Sequence, residues 1–219
     1  MQCRLCHAPI NFNLSLKQLG WRPLVMPHLC ARCLATFERI EQTQVCPGCG
    51  RANSPTLCAD CTRWQAQGET LLHHHALFTY NAAMKNFIQQ YKGLGDYQLH
   101  DAFDDQWPHF ARKVALIPIP SEANHYARRG FDPVLGLFGQ LPLMQVLRKQ
   151  ATDKPQAQKT RHERLQTPQS FEVVATLAPE RPVILLDDLY TTGRTLYHAA
   201  AALRQAGHRG KIQSFSLIR

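Results

Sequence analysis

Residues Val183 to Thr195 read VILLDDLYTTGRT, an apolar run that meets two adjacent carboxylates and then a turn of threonines, one glycine and one arginine. Four apolar residues in a row suit a buried strand of a parallel sheet, and ligands bind such sheets at the carboxyl ends of their strands. Asp187 and Asp188 would emerge at that edge. The turn leads into a predicted helix N-terminus, where unpartnered backbone N–H groups and the helix dipole attract an anion. Gly193 permits the positive φ or close approach that a phosphate-wrapping loop needs, and the hydroxyls of Thr191, Thr192 and Thr195 add donors without bulk. The acids would repel a phosphate laid directly on them, but they accept hydrogen bonds from a vicinal diol a few ångströms away. Diol on the acids and phosphate on the turn together describe a ribose 5-phosphate. The spacing of glycines and lysine that marks a Walker A loop is absent from this stretch.

A second chemistry sits at the other end of the chain. All eight cysteines fall before residue 62, in four CxxC pairs: Cys3 with Cys6, Cys30 with Cys33, Cys46 with Cys49, and Cys58 with Cys61. Two thiolates three residues apart grip one Zn²⁺ from a tight knuckle, and two knuckles complete a tetrahedral shell at about 2.3 Å per sulfur. Eight cysteines make two such sites with none left over. A redox CxxC would be a single pair opening a helix, not four pairs in a loop-rich segment. Closed shells make the zinc structural, and metal binding at roughly 10–16 kcal/mol lets so short a segment fold. Consecutive knuckles sharing a metal would form a double zinc ribbon, and interleaved ones a cross-brace; the consecutive scheme is preferred. His73, His74 and His75 then have no place in a shell and read as a solvated linker or strand entry, while Thr62 to Thr70 suits a hinge.

The elements that must position these groups follow from periodicity. From His75 onward strands and helices alternate, the mark of an α/β domain. ALFTY reads as a strand. Asn81 to Lys92 has apolar residues at helical spacing, with Asn81 as N-cap and Gly93 as stop. Residues 99–112 read as a second helix interrupted by Pro108. KVALIPIP (Lys113 to Pro120) is a buried strand closed by prolines, SEANHYARRGF a polar loop, and DPVLGLFGQL a short helix. Leu143 to Lys149 reads as a strand. Gln150 to Gln169 is basic and lacks apolar periodicity, as expected of a functional lid or a disordered insertion. The C-terminal forty residues form a βαβ unit, its helix running from about Thr195 to Ala206 with Gly207 beyond its end.

Composition narrows the class further. The chain has 219 residues, 44% of them hydrophobic, enough for one α/β domain with a small appendage. No run approaches the roughly 18 apolar residues of a membrane span, so no membrane insertion is expected. The first residues lack a basic then apolar leader, and the thiols suit a reducing compartment, so a cytoplasmic location is expected. Twenty-five Lys+Arg against 16 Asp+Glu favour anionic partners such as nucleotides, phosphates or nucleic acid. Trp64, Trp107 and Tyr126 are the candidate stacking aromatics, with core packing preferred for Trp107.

VILLDDLYTTGRT closely resembles the PRPP-binding signature of type I phosphoribosyltransferases. Four CxxC pairs followed by FTYNAAMKNFIQQYKGLGD, LIPIPSEANHYARRGF, QKTRHERLQTPQSFEV and VILLDDLYTTGRT resemble, in this order and over essentially the whole chain, the ComF/GntX proteins. Those are zinc-bearing, phosphoribosyltransferase-like proteins tied to competence and the use of external DNA. The resemblance implies a type I phosphoribosyltransferase-like parallel sheet with helices on both faces (residues 72–219), preceded by a double zinc ribbon with four cysteines to each metal (residues 1–66). It implies that Asp187 and Asp188 meet the ribose hydroxyls and that Thr191, Thr192, Gly193, Arg194 and Thr195 hold the 5-phosphate. Pro118 to Ser121 would form the pyrophosphate-side turn, with Arg128 and Arg129 reaching pyrophosphate, Lys92 and Gly93 in a YKGLGD segment, and Lys159 and Arg164 on a closing loop. Mg²⁺ would accompany PRPP, and single-stranded DNA and the DNA-uptake machinery are the implied macromolecular partners. The alternative is an active phosphoribosyltransferase of nucleotide salvage acting on an unknown acceptor. One departure stands out: Asp132 and Pro133 follow RRGF where the family carries an asparagine.

Overall fold

The computed structural model describes residues 1–11, 26–149 and 171–219. In chain order its strands are β1 (His75–Phe78), β2 (Ala115–Pro118), β3 (Leu147–Lys149), β4 (Phe171–Val173), β5 (Val183–Leu189) and β6 (Ile212–Ile218). The helices are α1 (Ala31–Leu34), α2 (Ala59–Ala66), α3 (Ala82–Ile88), α4 (Ala123–Arg129), α5 (Pro133–Leu137) and α6 (Arg194–Gln205). Four strands form a parallel sheet in the order β1-β6-β5-β2. β3 and β4 make a separate antiparallel pair, with Lys149 opposite Phe171. Among the described residues no helix is long and apolar enough to cross a membrane.

The continuous apolar runs of the central strands are explained by burial on both faces. Ala115 and Ile117 of β2, Val183 and Leu185 of β5 and Ile212 of β6 face α6. Leu116, Leu186 and Phe215 face a second layer built from α3, α5 and an aromatic cluster. α6 buries Leu196, Tyr197, Ala199, Ala200 and Leu203 along one stripe and ends before Gly207, whose φ of 91° only glycine adopts cheaply. The two cysteine groups divide between the faces. Cys46, Cys49, Cys58 and Cys61 pack with the α6 layer, and Cys3 joins the α3 and α5 layer.

Several local expectations change. Residues 99–112 do not form a helix but 3-10 turns at Tyr97–Leu99 and Asp104–Gln106. Their apolar residues serve tertiary packing instead, with Phe103 edge-on to Phe37 and Phe87 at 5.1 and 5.0 Å between ring centres. SEANHYARRGF is not a loop: it contains α4, closed by Gly130 at φ 84°. Tyr126, Ala127 and Arg128 are exposed, so no apolar stripe marks α4 in the sequence. The first half of the proposed hinge lies within α2. His75 opens β1 as a strand entry, but His74 is not solvated: it is buried with its ring nitrogens 2.9 Å from the hydroxyls of Ser214 and Ser216. The basic stretch 150–169, with Lys159 and Arg164, lies outside the described residues.

Candidate functional site

A cleft of about 250 Å³ opens beside the carboxyl end of β5, and Asp187 and Asp188 line it. The strand geometry places them differently. Asp188 is buried, only 3% exposed, and its carboxylate is paired with Lys92. Asp187 keeps partial access to solvent and accepts a hydrogen bond from the Asp188 N–H at 3.0 Å. Burial first, and then the charge of Asp188, push the Asp187 carboxyl up to about 8, against the opposing pull of Lys92. Lys92 reaches the acids from a π turn, Gln89–Gly93, that continues α3. Such one-turn widenings are frequent at functional sites. The turn is held from below by the Tyr91 hydroxyl, which donates to the Pro133 carbonyl at 2.9 Å. From the side, Arg129 Nε donates to the Lys92 carbonyl at 2.9 Å.

The opposite wall grows from the end of β2, through Ile119, Pro120, Ser121 and Glu122. Asp132 organises it. Its Oδ1 accepts from the N–H groups of Val134 (2.9 Å) and Leu135 (3.0 Å), capping α5, while its Oδ2 accepts from the Ser121 N–H at 2.7 Å. Pro133 then occupies the first helical turn, where its missing N–H costs nothing. The departure from the family pattern therefore makes a good helix start, and the acid ties that helix to the loop after β2. At the rim, Lys149 Nζ lies 3.0 Å from Glu122 Oε1.

The turn Tyr190 to Gly193 closes the third side. Gly193 caps α6 at φ 80°, and no side chain caps the helix in its place. The glycine is required twice over, since a Cβ there would also lie 2.6 Å from Cζ of Tyr190. Thr191 and Thr192 are exposed on the turn and Thr195 lines the cleft. The first turn of α6 thus offers unpartnered amides beside a polar cavity, the arrangement that holds a phosphate.

Of the residues expected at the site, the structure gathers Lys92, Ser121, Arg129, Asp187, Asp188 and Thr195 around the cleft. Pro118 ends β2 in the buried sheet, Thr191, Thr192, Gly193 and Arg194 form the adjoining turn and helix start, and Arg128 is exposed outside the lining. Lys159 lies outside the described residues. Sequence reasoning missed Glu122 and Lys149, which no motif flags, and the role of Asp132, which a helix-cap pattern of acid then proline could have shown. Among the aromatics, Trp64 stacks on Tyr197 at 4.3 Å and Trp107 packs on Phe138 at 4.6 Å, leaving Tyr126 as the exposed one of the three.

The cysteines form two groups, Cys3, Cys6, Cys30, Cys33 and Cys46, Cys49, Cys58, Cys61, with the sulfurs of each group within 4.8 Å of one another. The knuckles pair consecutively, as a double ribbon requires. Sulfur separations of 3.7 Å (Cys6 to Cys30, Cys46 to Cys61) and 3.5 Å (Cys49 to Cys58) match the edge of about 3.8 Å expected of a tetrahedron with 2.3 Å metal–sulfur bonds. They are far from the roughly 2.05 Å of a disulfide. Backbone N–H groups already point at sulfur, Cys30 at Cys3 (3.3 Å) and Cys58 at Cys46 (3.4 Å). Burial raises the Cys3 and Cys46 thiols, but together with further backbone N–H groups of their knuckles these amides outweigh it and bring both down to about 6, whereas burial and the neighbouring thiols push Cys33, Cys49 and Cys61 up. The donor sets therefore fit zinc.

No protein-family model matches the chain. It is 34% identical over 227 residues to competence protein ComFC of Streptococcus pneumoniae (strain ATCC BAA-255 / R6), covering 100% of both chains. It is 31% identical over 237 residues to competence protein ComFC of Bacillus subtilis (strain 168), covering 99% of this chain and 94% of the relative.

Proposed function

The chain belongs to the ComF family of competence proteins, and from that premise we propose that it binds PRPP or a related ribose phosphate in the cleft at the end of β5 and takes part in the uptake and use of external DNA. The names of its relatives support a competence-related function. The observation that carries the ligand is the joint presence, around one cleft, of two carboxylates and an uncapped helix N-terminus. Asp187 and Asp188 accept hydrogen bonds from the ribose hydroxyls. The amides and hydroxyls of Thr191 to Thr195 take the 5-phosphate, and Lys92, Ser121 and Arg129 face the pyrophosphate. Mg²⁺ comes with that pyrophosphate, held mainly by phosphate oxygens and water. A volume of about 250 Å³ suits a sugar phosphate and falls below the range of roughly 300–1,000 Å³ typical of larger ligands. With a net charge of +9, single-stranded DNA and the uptake machinery are the macromolecular partners of this reading.

Titration calorimetry with PRPP and with ribose 5-phosphate tests it. Replacing both Asp187 and Asp188 by Ala should weaken binding on the order of 100-fold or more, because charge-assisted hydrogen bonds are worth roughly 1.5–3 kcal/mol each. Unchanged affinity in the double variant would remove the site.

A further inference from the structure

A turn can aim its N–H groups at a ligand only if its carbonyls are held away from it. Two side chains do this, and both are tied to the second cysteine group. Arg219 Nη1 donates to the Thr191 carbonyl at 3.1 Å, and Trp64 Nε1 donates to the Thr192 carbonyl at 2.9 Å. Two further donors of Arg219 go to a single cysteine: Nε to the Cys49 carbonyl at 3.0 Å and Nη2 to the Cys49 sulfur at 3.0 Å. Its guanidinium also lies 4.5 Å from the ring centre of Tyr190, the residue whose ring fills the space beside Gly193. Trp64 belongs to α2, which follows directly on its N-cap residue Cys58 and contains Cys61. It stacks on Tyr197, in the first turn of α6, at an interplanar angle of 24°. Each knuckle of this cysteine group is therefore linked through one side chain to one residue of the turn.

We infer that the Cys46, Cys49, Cys58, Cys61 shell and the phosphate-binding turn are one coupled unit, joined by Arg219 and Trp64 as positioning residues, so that metal in the shell and ribose phosphate in the cleft strengthen each other's binding. The inference rests on the ribose-phosphate reading of the cleft. Its physical basis is charge and fixed geometry. Four thiolates around Zn²⁺ carry a net charge of −2, which holds the Arg219 guanidinium at the Cys49 sulfur. Loss of the metal would take away that fixed charge and geometry, so the guanidinium would be held less firmly and the Thr191 carbonyl with it. Outer partners of metal ligands typically change metal affinity 10–100-fold when removed. The coupling is reciprocal by thermodynamic necessity.

The test uses the full chain with zinc bound and ribose 5-phosphate as probe. Arg219→Ala and Trp64→Phe, the latter keeping the stack and losing only the N–H, should each weaken ribose 5-phosphate binding about 5–20-fold with zinc content unchanged. In wild-type protein, saturating ribose 5-phosphate should slow one phase of zinc release to a chelating dye several-fold, and the slowing should vanish in both variants. Arg51→Ala, which removes a partner of Asp60 on the same ribbon but touches no part of the turn, should retain the ligand effect. If wild-type protein binds ribose 5-phosphate but both variants bind it equally well, and zinc release ignores the ligand, the coupling is wrong and the cleft reading stands. If wild-type protein binds neither ribose 5-phosphate nor PRPP, the cleft reading fails and the coupling falls with it.

Discussion

Replacing Asp187 by Asn should make the ligand-free protein more stable at pH 8 and leave it nearly unchanged at pH 4. Asp187 titrates near 8 in the folded chain against an ordinary value of 3.8, because burial and the neighbouring Asp188 charge both oppose ionisation. In the unfolded chain the residue ionises as pH rises past about 4, while the folded chain keeps its proton until about 8. The unfolded state is therefore favoured progressively across that window, and the native contribution present below pH 4 is lost as pH rises. At about 1.4 kcal/mol per pH unit, a window of roughly four units sets a ceiling of about 6 kcal/mol. Asp187 keeps some access to solvent and interacts with the Lys92 and Asp188 pair, so the expected gain is about 1–3 kcal/mol. An amide preserves the shape and still accepts the Asp188 N–H, so the difference isolates the charge. Denaturant melts of wild type and variant at pH 4, 6 and 8, without ligand, provide the measurement. A variant that is less stable than wild type at pH 8, or a difference that does not change with pH, would refute the reasoning.

Two further outcomes follow from the same structure. Gly193→Ala forces a side chain into a φ of 80° and against the Tyr190 ring, so stability should fall by about 2–4 kcal/mol in denaturant melts and ribose 5-phosphate affinity by at least tenfold; an unchanged affinity would show that the turn does not need this backbone. Metal analysis of reduced, freshly purified protein should find about two zinc ions per chain, and a content near zero would overturn the reading of both cysteine shells.

What the residues announced in advance were features encoded over short distances. The acid pair, the glycine turn and the CxxC knuckles each occupy a few consecutive positions, and local chemistry is enough to recognise them. The strands of the sheet were also visible, because burial on both faces leaves uninterrupted apolar runs. What stayed hidden depends on residues far apart in the chain. Cys49 and Arg219 are 170 positions apart, and neither the sulfur's partner nor the arginine's purpose can be guessed from its neighbours. Lys149 looks like one more basic residue before a basic stretch until the fold sets it 3.0 Å from Glu122. α4 carries no apolar stripe to mark it, with Tyr126, Ala127 and Arg128 exposed, and the apolar residues of 99–112 imitate a helical period while packing into an aromatic cluster.

The charge pattern of the cleft bears on why the proposed ligand would carry both chemistries. Without ligand, Asp188 is balanced by Lys92, Glu122 is balanced by Lys149, and Asp187 is held towards its neutral form. An unpaired charge at the buried Asp188 would cost several kcal/mol, so the lysine cannot leave it for an anion unless something else satisfies the carboxylate. Inorganic phosphate offers a partner to Lys92 and nothing to Asp188. A plain sugar offers hydroxyls to the acids and leaves the open amides of α6 without an anion. On the proposed reading a sugar phosphate would do both at once: its hydroxyls would replace the lysine at the acids while its anionic groups would take the lysine and the helix end. Under the proposed function the paired side chains of the cleft would thus act as a condition on the ligand, met when diol and phosphate arrive in the same molecule.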